Sequence, residues 1–277
     1  MKFMGNYETL WTVDTPGYLI FLIDQSGSMG DIFDGKITKA EETAIAISKV
    51  IRELVLMNAK GTKIKEKVFI TMIGYGEIVD EIRSSYLGEF AISPLRIETA
   101  IETKLDINGN IVETKRNTPI YLEPTYDGHT PMGDAFSMAK QLIEAWIDKY
   151  PNRPAPIIIN ISDGAPYSSN GENESEKTIS VCNEIMNLNT LDGAPLIFNF
   201  HLGSDKNAKV VLPSSKNELK DEMSSFLYEI SSTLPHRIKS AAVRYDLIAK
   251  DNSKGLISNG NAIDLLKFIQ FGSLTNQ

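Results

Sequence analysis

Tyr18-Leu19-Ile20-Phe21-Leu22-Ile23-Asp24-Gln25-Ser26-Gly27-Ser28-Met29 is the stretch whose reading decides the fold. It opens as an unbroken apolar run, the pattern of a strand buried on both faces of a parallel sheet. It closes on a carboxylate, two hydroxyls and a glycine. A buried strand accepts that change only where it leaves the core, so Asp24, Ser26 and Ser28 belong at its C-terminal edge. In open parallel α/β sheets, ligands bind at that edge. The Asp-x-Ser-x-Ser spacing gathers one charged and two neutral hard oxygens in a single turn. Such oxygens suit Mg²⁺, which prefers octahedral oxygen coordination and keeps some of its waters. The plainer alternative is a polar loop in which Asp24 caps the next helix and Gly27 makes a turn.

Two further stretches favour the site. Thr130 lies in Gly128-His129-Thr130-Pro131-Met132-Gly133, and Asp163 follows the apolar run Ile157-Ile158-Ile159-Asn160-Ile161-Ser162. Together with Asp24-Gln25-Ser26-Gly27-Ser28 these resemble, in order, the three elements of the metal-ion-dependent adhesion site of von Willebrand factor A domains. The resemblance covers about residues 17–235. It implies a doubly wound α/β fold with a mostly parallel central sheet and helices on both faces. It also implies a metal held by Asp24, Ser26, Ser28, Thr130 and Asp163. Mg²⁺ is the expected ion, with Mn²⁺ and Ca²⁺ as alternatives.

Composition narrows the function classes. The formal net charge is 28 − 36 = −8 and no dense Lys/Arg block offsets it, so neither nucleic acid nor an anionic membrane is an expected partner. The single cysteine, Cys182, reads as a small core residue on a helix face, with no Cys/His cluster for zinc. Residues 1–15 lack an apolar signal-peptide core and no run reaches transmembrane length, so a cytoplasmic protein is expected. This matches the bacterial intracellular branch of the family. The short site loop and Tyr121-Leu122-Glu123-Pro124 ahead of Thr130 resemble its tellurite-resistance type, whose members act as adaptors, some beside protein kinases and phosphatases.

Along the chain, Thr38 and Glu41 form a capping-box signature for a helix over 38–58. Val68 to Ile73 reads as a second buried strand, and Ile78 to Leu87 as an edge strand. Alternation over Ile97 to Leu105, with Asn108-Gly109 before Ile111, predicts a hairpin. Thr130-Pro131 reads as an N-cap followed by proline at the first helical position, opening a helix to about Lys149. A helix is expected over Thr178 to Asn189 after a polar loop over 168–174. A strand is expected over Leu196 to Leu202 and a long amphipathic helix through Leu219, Met223, Phe226 and Ile230. One domain over 1–277 is predicted, with an inserted hairpin at about 97–116 and a C-terminal extension, a strand and a short helix, at about 236–277.

The function implied is a protein-binding adaptor, not an enzyme, whose metal is completed by an Asp or Glu of a partner protein. With only Asp24 and Asp163 charged, such an ion stays electrophilic. A metal-dependent phosphohydrolase or phosphotransferase is the first alternative, weakened because Ser26 stands where Asp-x-Asp enzymes place their acid. A metal-free scaffold is the second.

Overall fold

The computed structural model describes residues 7–33, 35–105, 111–168, 173–203, 205 and 208–274. In chain order the strands are β1 (Gly17–Asp24), β2 (Ile32–Phe33), β3 (Ile37–Thr38), β4 (Ala59–Lys60), β5 (Lys63–Ile64), β6 (Val68–Tyr75), β7 (Val79–Tyr86), β8 (Arg96–Leu105), β9 (Ile111–Ile120), β10 (Ile157–Ser162), β11 (Leu196–His201), β12 (Val210–Val211) and β13 (Leu256–Ser258). The helices are α1 (Lys39–Asn58), α2 (Leu87–Ile92), α3 (Met132–Lys149), α4 (Glu174–Asn187), α5 (Glu222–Glu229), α6 (His236–Ala241) and α7 (Ala262–Leu274).

The main sheet runs β12-β13-β11-β10-β1-β6-β7, with β13, β11, β10, β1 and β6 parallel and the two outer strands antiparallel. The apolar run at 18–23 is the interior strand β1, flanked by β10 and β6 and buried throughout. Its side chains alternate. Leu19, Phe21 and Ile23 join the core under α1 and α7, while Tyr18, Ile20 and Leu22 join the core under α3, α4 and α5. Two cores on opposite faces of one mostly parallel sheet make the doubly wound α/β fold that the sequence implies.

Chain direction reverses beside β1. From β1 the chain crosses through α1 to β6 on one side, and later returns through α3 to β10 on the other. Right-handed crossovers travelling in opposite directions place α1 and α3 on opposite faces. The C-terminal ends of β1 and β10 therefore border a topological switch point, where a crevice opens.

Several local signals act as expected. Thr38 and Glu41 close the capping box on α1. β7 is the antiparallel edge strand. Others differ. Helix α4 begins at Glu174, not Thr178, because the Asn173 side chain accepts the Glu176 N–H and caps the helix four residues early. The helix expected through Leu219 is only Glu222–Glu229, since Asp221 caps it by accepting the Ser224 N–H at 2.7 Å. Helix α2 follows β7 without a strong cap in the sequence. The strand of the C-terminal segment, β13, lies inside the main sheet between β11 and β12.

The hairpin of β8 and β9 pairs from Arg96↔Ile120 to Leu105↔Ile111 and forms its own two-stranded sheet. Its expected Asn108-Gly109 turn lies outside the described residues.

The C-terminal helix is integral to the core. Phe198 of β11 stacks on Phe271 of α7 with centroids 5.7 Å apart and planes 7° apart, and Phe268 flanks both. Phe198→Ala is therefore expected to cost about 3–5 kcal/mol in urea unfolding. A loss below about 1 kcal/mol would mean that α7 is a dispensable appendage.

Candidate metal centre

Asp24 ends β1 and is only 1% exposed. Its Oδ1 accepts the Ser26 N–H at 2.9 Å, an Asx-type turn that tightens the loop as it leaves the sheet. Its Oδ2 accepts the Ser162 hydroxyl at 2.6 Å from the last residue of β10. Parallel pairing of β1 with β10, ending at Ile23↔Ile161, puts these two strand ends side by side. A 3₁₀ turn, Gly27–Gly30, carries Ser28, and Met29 anchors it in the core below. Ser26 Oγ lies 3.3 Å from Ser28 Oγ, and Ser28 Oγ donates to Asp163 Oδ1 at 2.7 Å. Direct contacts thus link Asp24, Ser26, Ser28 and Asp163 across the switch point.

Thr130 reaches the same edge by backbone pairing. Asp127 N donates to Gln25 O at 2.6 Å, and Gly27 N donates to Gly128 O at 3.2 Å, which ties the two loops together. Glycine is required where they meet. A Cβ on Gly76 would lie 2.6 Å from Asp127 O and 2.7 Å from Gln25 O, and Gly128 holds φ +76°. Thr130 is 7% exposed, and among the described residues no hydrogen bond joins its hydroxyl to the other four side chains.

The N-cap expected at Thr130 is absent. The helix begins at Met132 with Pro131 before it and no side-chain cap. Thr130 instead exchanges both main-chain hydrogen bonds with Tyr167, at 3.1 and 2.9 Å, and this bridge fixes its backbone outside the helix. The α3 N-terminus takes a carboxylate from elsewhere: buried Glu174 accepts the Gly133 N–H at 2.7 Å. Glu174 is therefore no part of the polar loop expected over 168–174, of which residues 169–172 lie outside the described ones. Tyr75, at the end of β6, is fully buried. Its hydroxyl donates to Asn160, which continues to Asn199 and Ser231 in a buried polar line beneath the site.

Two residues at the site are not singled out by the sequence. Ser162 holds Asp24 from below. Lys39 Nζ lies 2.5 Å from Asp163 Oδ2, 3.3 Å from Asp31 Oδ2 and 3.4 Å from the Ser28 carbonyl. The available signal for Lys39 is its place as the first residue of α1, the helix end that disfavours a cation. His129 packs edge-on against Tyr167, with centroids 5.2 Å apart. His201 lies beneath, accepting or donating through Nδ1 with Ser258, and burial lowers its pKa.

Electrostatically, the site favours positive charge. Burial pushes the Asp24 carboxyl up to about 6, opposed by the Ser162 and Ser26 hydrogen bonds and aided by repulsion from Asp163. Among the described residues no group of three or more His, Cys, Asp or Glu is placed to hold a metal ion. Any ion here therefore depends on hydroxyls as well as the two carboxylates. Two carboxylates and three hydroxyls form a hard oxygen set that fits Mg²⁺, and an ammonium already stands against one of the carboxylates.

No family profile matches the sequence, and no curated protein matches it. Solved structures do. The von Willebrand factor domain of the type V pili tip protein Mfa5 from Porphyromonas gingivalis is 14% identical over 58% of this chain and 43% of that one, with a TM-score of 0.33. The conserved hypothetical protein BatB from Bacteroides thetaiotaomicron is 13% identical over 67% and 66%, at 0.36. The D319A mutant of the PilB minor pilin from Streptococcus sanguinis is 8% identical over 94% and 61%, at 0.48. The chain thus spans less than two thirds of the length of each. At these scores the fold class rests on the sheet order and register of this chain. Among the described residues no helix is long and apolar enough to cross a membrane.

The raised Asp24 pKa has a definite sign. The folded carboxyl binds its proton more tightly than the unfolded one, whose ordinary value is 3.8, so its contribution is fully present below that value and is lost as pH rises to about 6. In chelator, Asp24→Asn should match the unmodified protein near pH 4. It should exceed its unfolding free energy by up to about 3 kcal/mol at pH 7. Parallel stability profiles from pH 4 to 7 would show that Asp24 is not the buried charge.

Proposed function

We propose that this chain is a von Willebrand factor A-like protein-binding module. Its divalent ion, Mg²⁺ first and Mn²⁺ or Ca²⁺ as alternatives, would be held by Asp24, Ser26, Ser28, Thr130 and Asp163. The observation that carries the reading is the run of contacts from Asp24 through Ser26 and Ser28 to Asp163 at the switch point of the sheet. A bound ion would supply an electrophilic docking point for an Asp or Glu of a partner protein. The chain's residues do the rest: Ser162 orients Asp24, the Gly76 contact fixes the approach of the Thr130 loop, and the Tyr167 bridge holds Thr130 at the edge.

The reading is non-enzymatic. Ser26, where an Asp-x-Asp phosphohydrolase needs an acid, is engaged with Ser28, and His129 is turned to Tyr167. The tellurite-resistance type of adaptor, working in the bacterial cytoplasm beside kinases or phosphatases, is the subfamily the Tyr121–Pro124 segment favours. A metal-free scaffold has one observation in its favour, that both Asp163 oxygens already have protein partners.

Thermal melting with Mg²⁺ and with chelator separates these readings. Mg²⁺ should raise the melting temperature of the unmodified protein, and Asp24→Ala should abolish the increment. Unchanged melting in Mg²⁺ would favour the scaffold. Turnover of an aryl phosphate in Mg²⁺ that Asp24→Ala removes would establish the phosphohydrolase instead.

Thr130 gives a finer check. Because it caps no helix, Thr130→Ala should leave the melting temperature in chelator nearly unchanged while weakening Mg²⁺ binding about tenfold or more, and Thr130→Ser should retain binding. Equal Mg²⁺ affinity in the two variants would remove Thr130 from the ligand set.

A further inference from the structure

Lys39 breaks a local rule. It is the first residue of α1, where the unsatisfied N–H groups create positive potential and carboxylates are preferred. Glu41 and Glu42 occupy the same turn in accord with that preference. Residues that violate such preferences without a packing gain mark functional places. Nor is the Lys39 ammonium a solvated surface charge. Its side chain is 13% exposed, and the side chain of Asp163, its partner at 2.5 Å, is 1% exposed. The nearby Asp31 carboxylate, 3.3 Å away, is 70% exposed. Lys39 is thus shared between a buried carboxylate of the candidate centre and an exposed carboxylate on its rim.

We propose that Lys39 is the resident counter-cation of the site, competing with the divalent ion for Asp163, so that filling the site exchanges an ammonium for a metal. The inference rests on the metal-binding reading above and adds to it the residue that sets the affinity. Without metal, Lys39 neutralises half of the charge on Asp24 and Asp163, which allows two carboxylates to be held at a buried strand edge. With metal, Lys39 transfers to Asp31, whose carboxylate is already within reach. The ammonium is then presented at the rim, beside the position offered to an incoming carboxylate. Asp31 is thereby assigned a role as acceptor of the displaced lysine, not as a ligand.

Calorimetric titration with Mg²⁺ alone tests this on the full chain, with thermal melting as the second readout. Lys39→Gln should bind Mg²⁺ about tenfold or more tightly than the unmodified protein, because a like charge beside the ion is removed. In chelator its melting temperature should fall, and the increment produced by Mg²⁺ should grow. Lys39→Arg keeps the charge and should restore affinity towards the unmodified value. Asp31→Asn should weaken Mg²⁺ binding when Lys39 is present and do so less in the Lys39→Gln background, a coupling that a double-mutant cycle measures.

If Lys39 served only to brace the fold, Lys39→Gln would melt lower in chelator with an unchanged Mg²⁺ increment, and the proposal would be overturned. Unmodified protein that binds Mg²⁺ while Lys39→Gln binds no more tightly also overturns it, leaving the metal reading intact. Absence of Mg²⁺ binding in both overturns the metal reading and this inference together.

Discussion

A carboxylate buried at the end of the interior strand β1 constrains everything at the upper edge of this sheet. Asp24 is almost without solvent, so its charge must be met by the protein. The Ser26 N–H satisfies one oxygen and the Ser162 hydroxyl the other, and both bonds exist only because β1 and β10 run parallel and end together. Repulsion from Asp163 adds to the cost of ionising Asp24, and Lys39 offsets part of it. The site is thus an arrangement of negative charge that the fold holds under tension and that a cation would relax.

The support extends below the site. Tyr75, Asn160, Asn199 and Ser231 form a buried hydrogen-bonded line on the α3 face of the sheet, and each is fully or almost fully buried. A polar line of this kind is tolerated only when every member is satisfied, and it then fixes one arrangement of the strands around it. The polar line and the aromatic stack of Phe198 with α7 lie on opposite faces of β10 and β11. Together they hold the strand ends whose spacing the site depends on.

Much of the fold was legible because its signals are local. The apolar run at 18–23 announced a strand buried on both faces, and Thr38 with Glu41 announced the start of α1. The site loop was legible because its carboxylate and hydroxyls come directly after a buried strand, which marks the sheet edge where the chain leaves the core. What escaped the sequence depends on partners distant in the chain. Thr130 resembled a helix cap until its pairing with Tyr167 occupied its backbone. Glu174 resembled a loop residue, yet it is buried against the N-terminus of another helix. Ser162 and Lys39 become meaningful only once Asp24 and Asp163 are placed beside them, 138 and 124 residues away in sequence. The place of β13 between β11 and β12 was likewise invisible, since three residues, Leu256-Ile257-Ser258, carry no record of their neighbours.

The central claim is that Asp24, Ser26, Ser28, Thr130 and Asp163 surround one divalent ion at the switch point. Anomalous diffraction from crystals grown with Mn²⁺ tests it most directly. The account predicts a single strong anomalous peak between Asp24 and Asp163, bordered by the hydroxyls of Ser26, Ser28 and Thr130, with Lys39 withdrawn from Asp163 towards Asp31. Crystals in saturating Mn²⁺ that show no peak there, with the Lys39 ammonium still on Asp163, would contradict it.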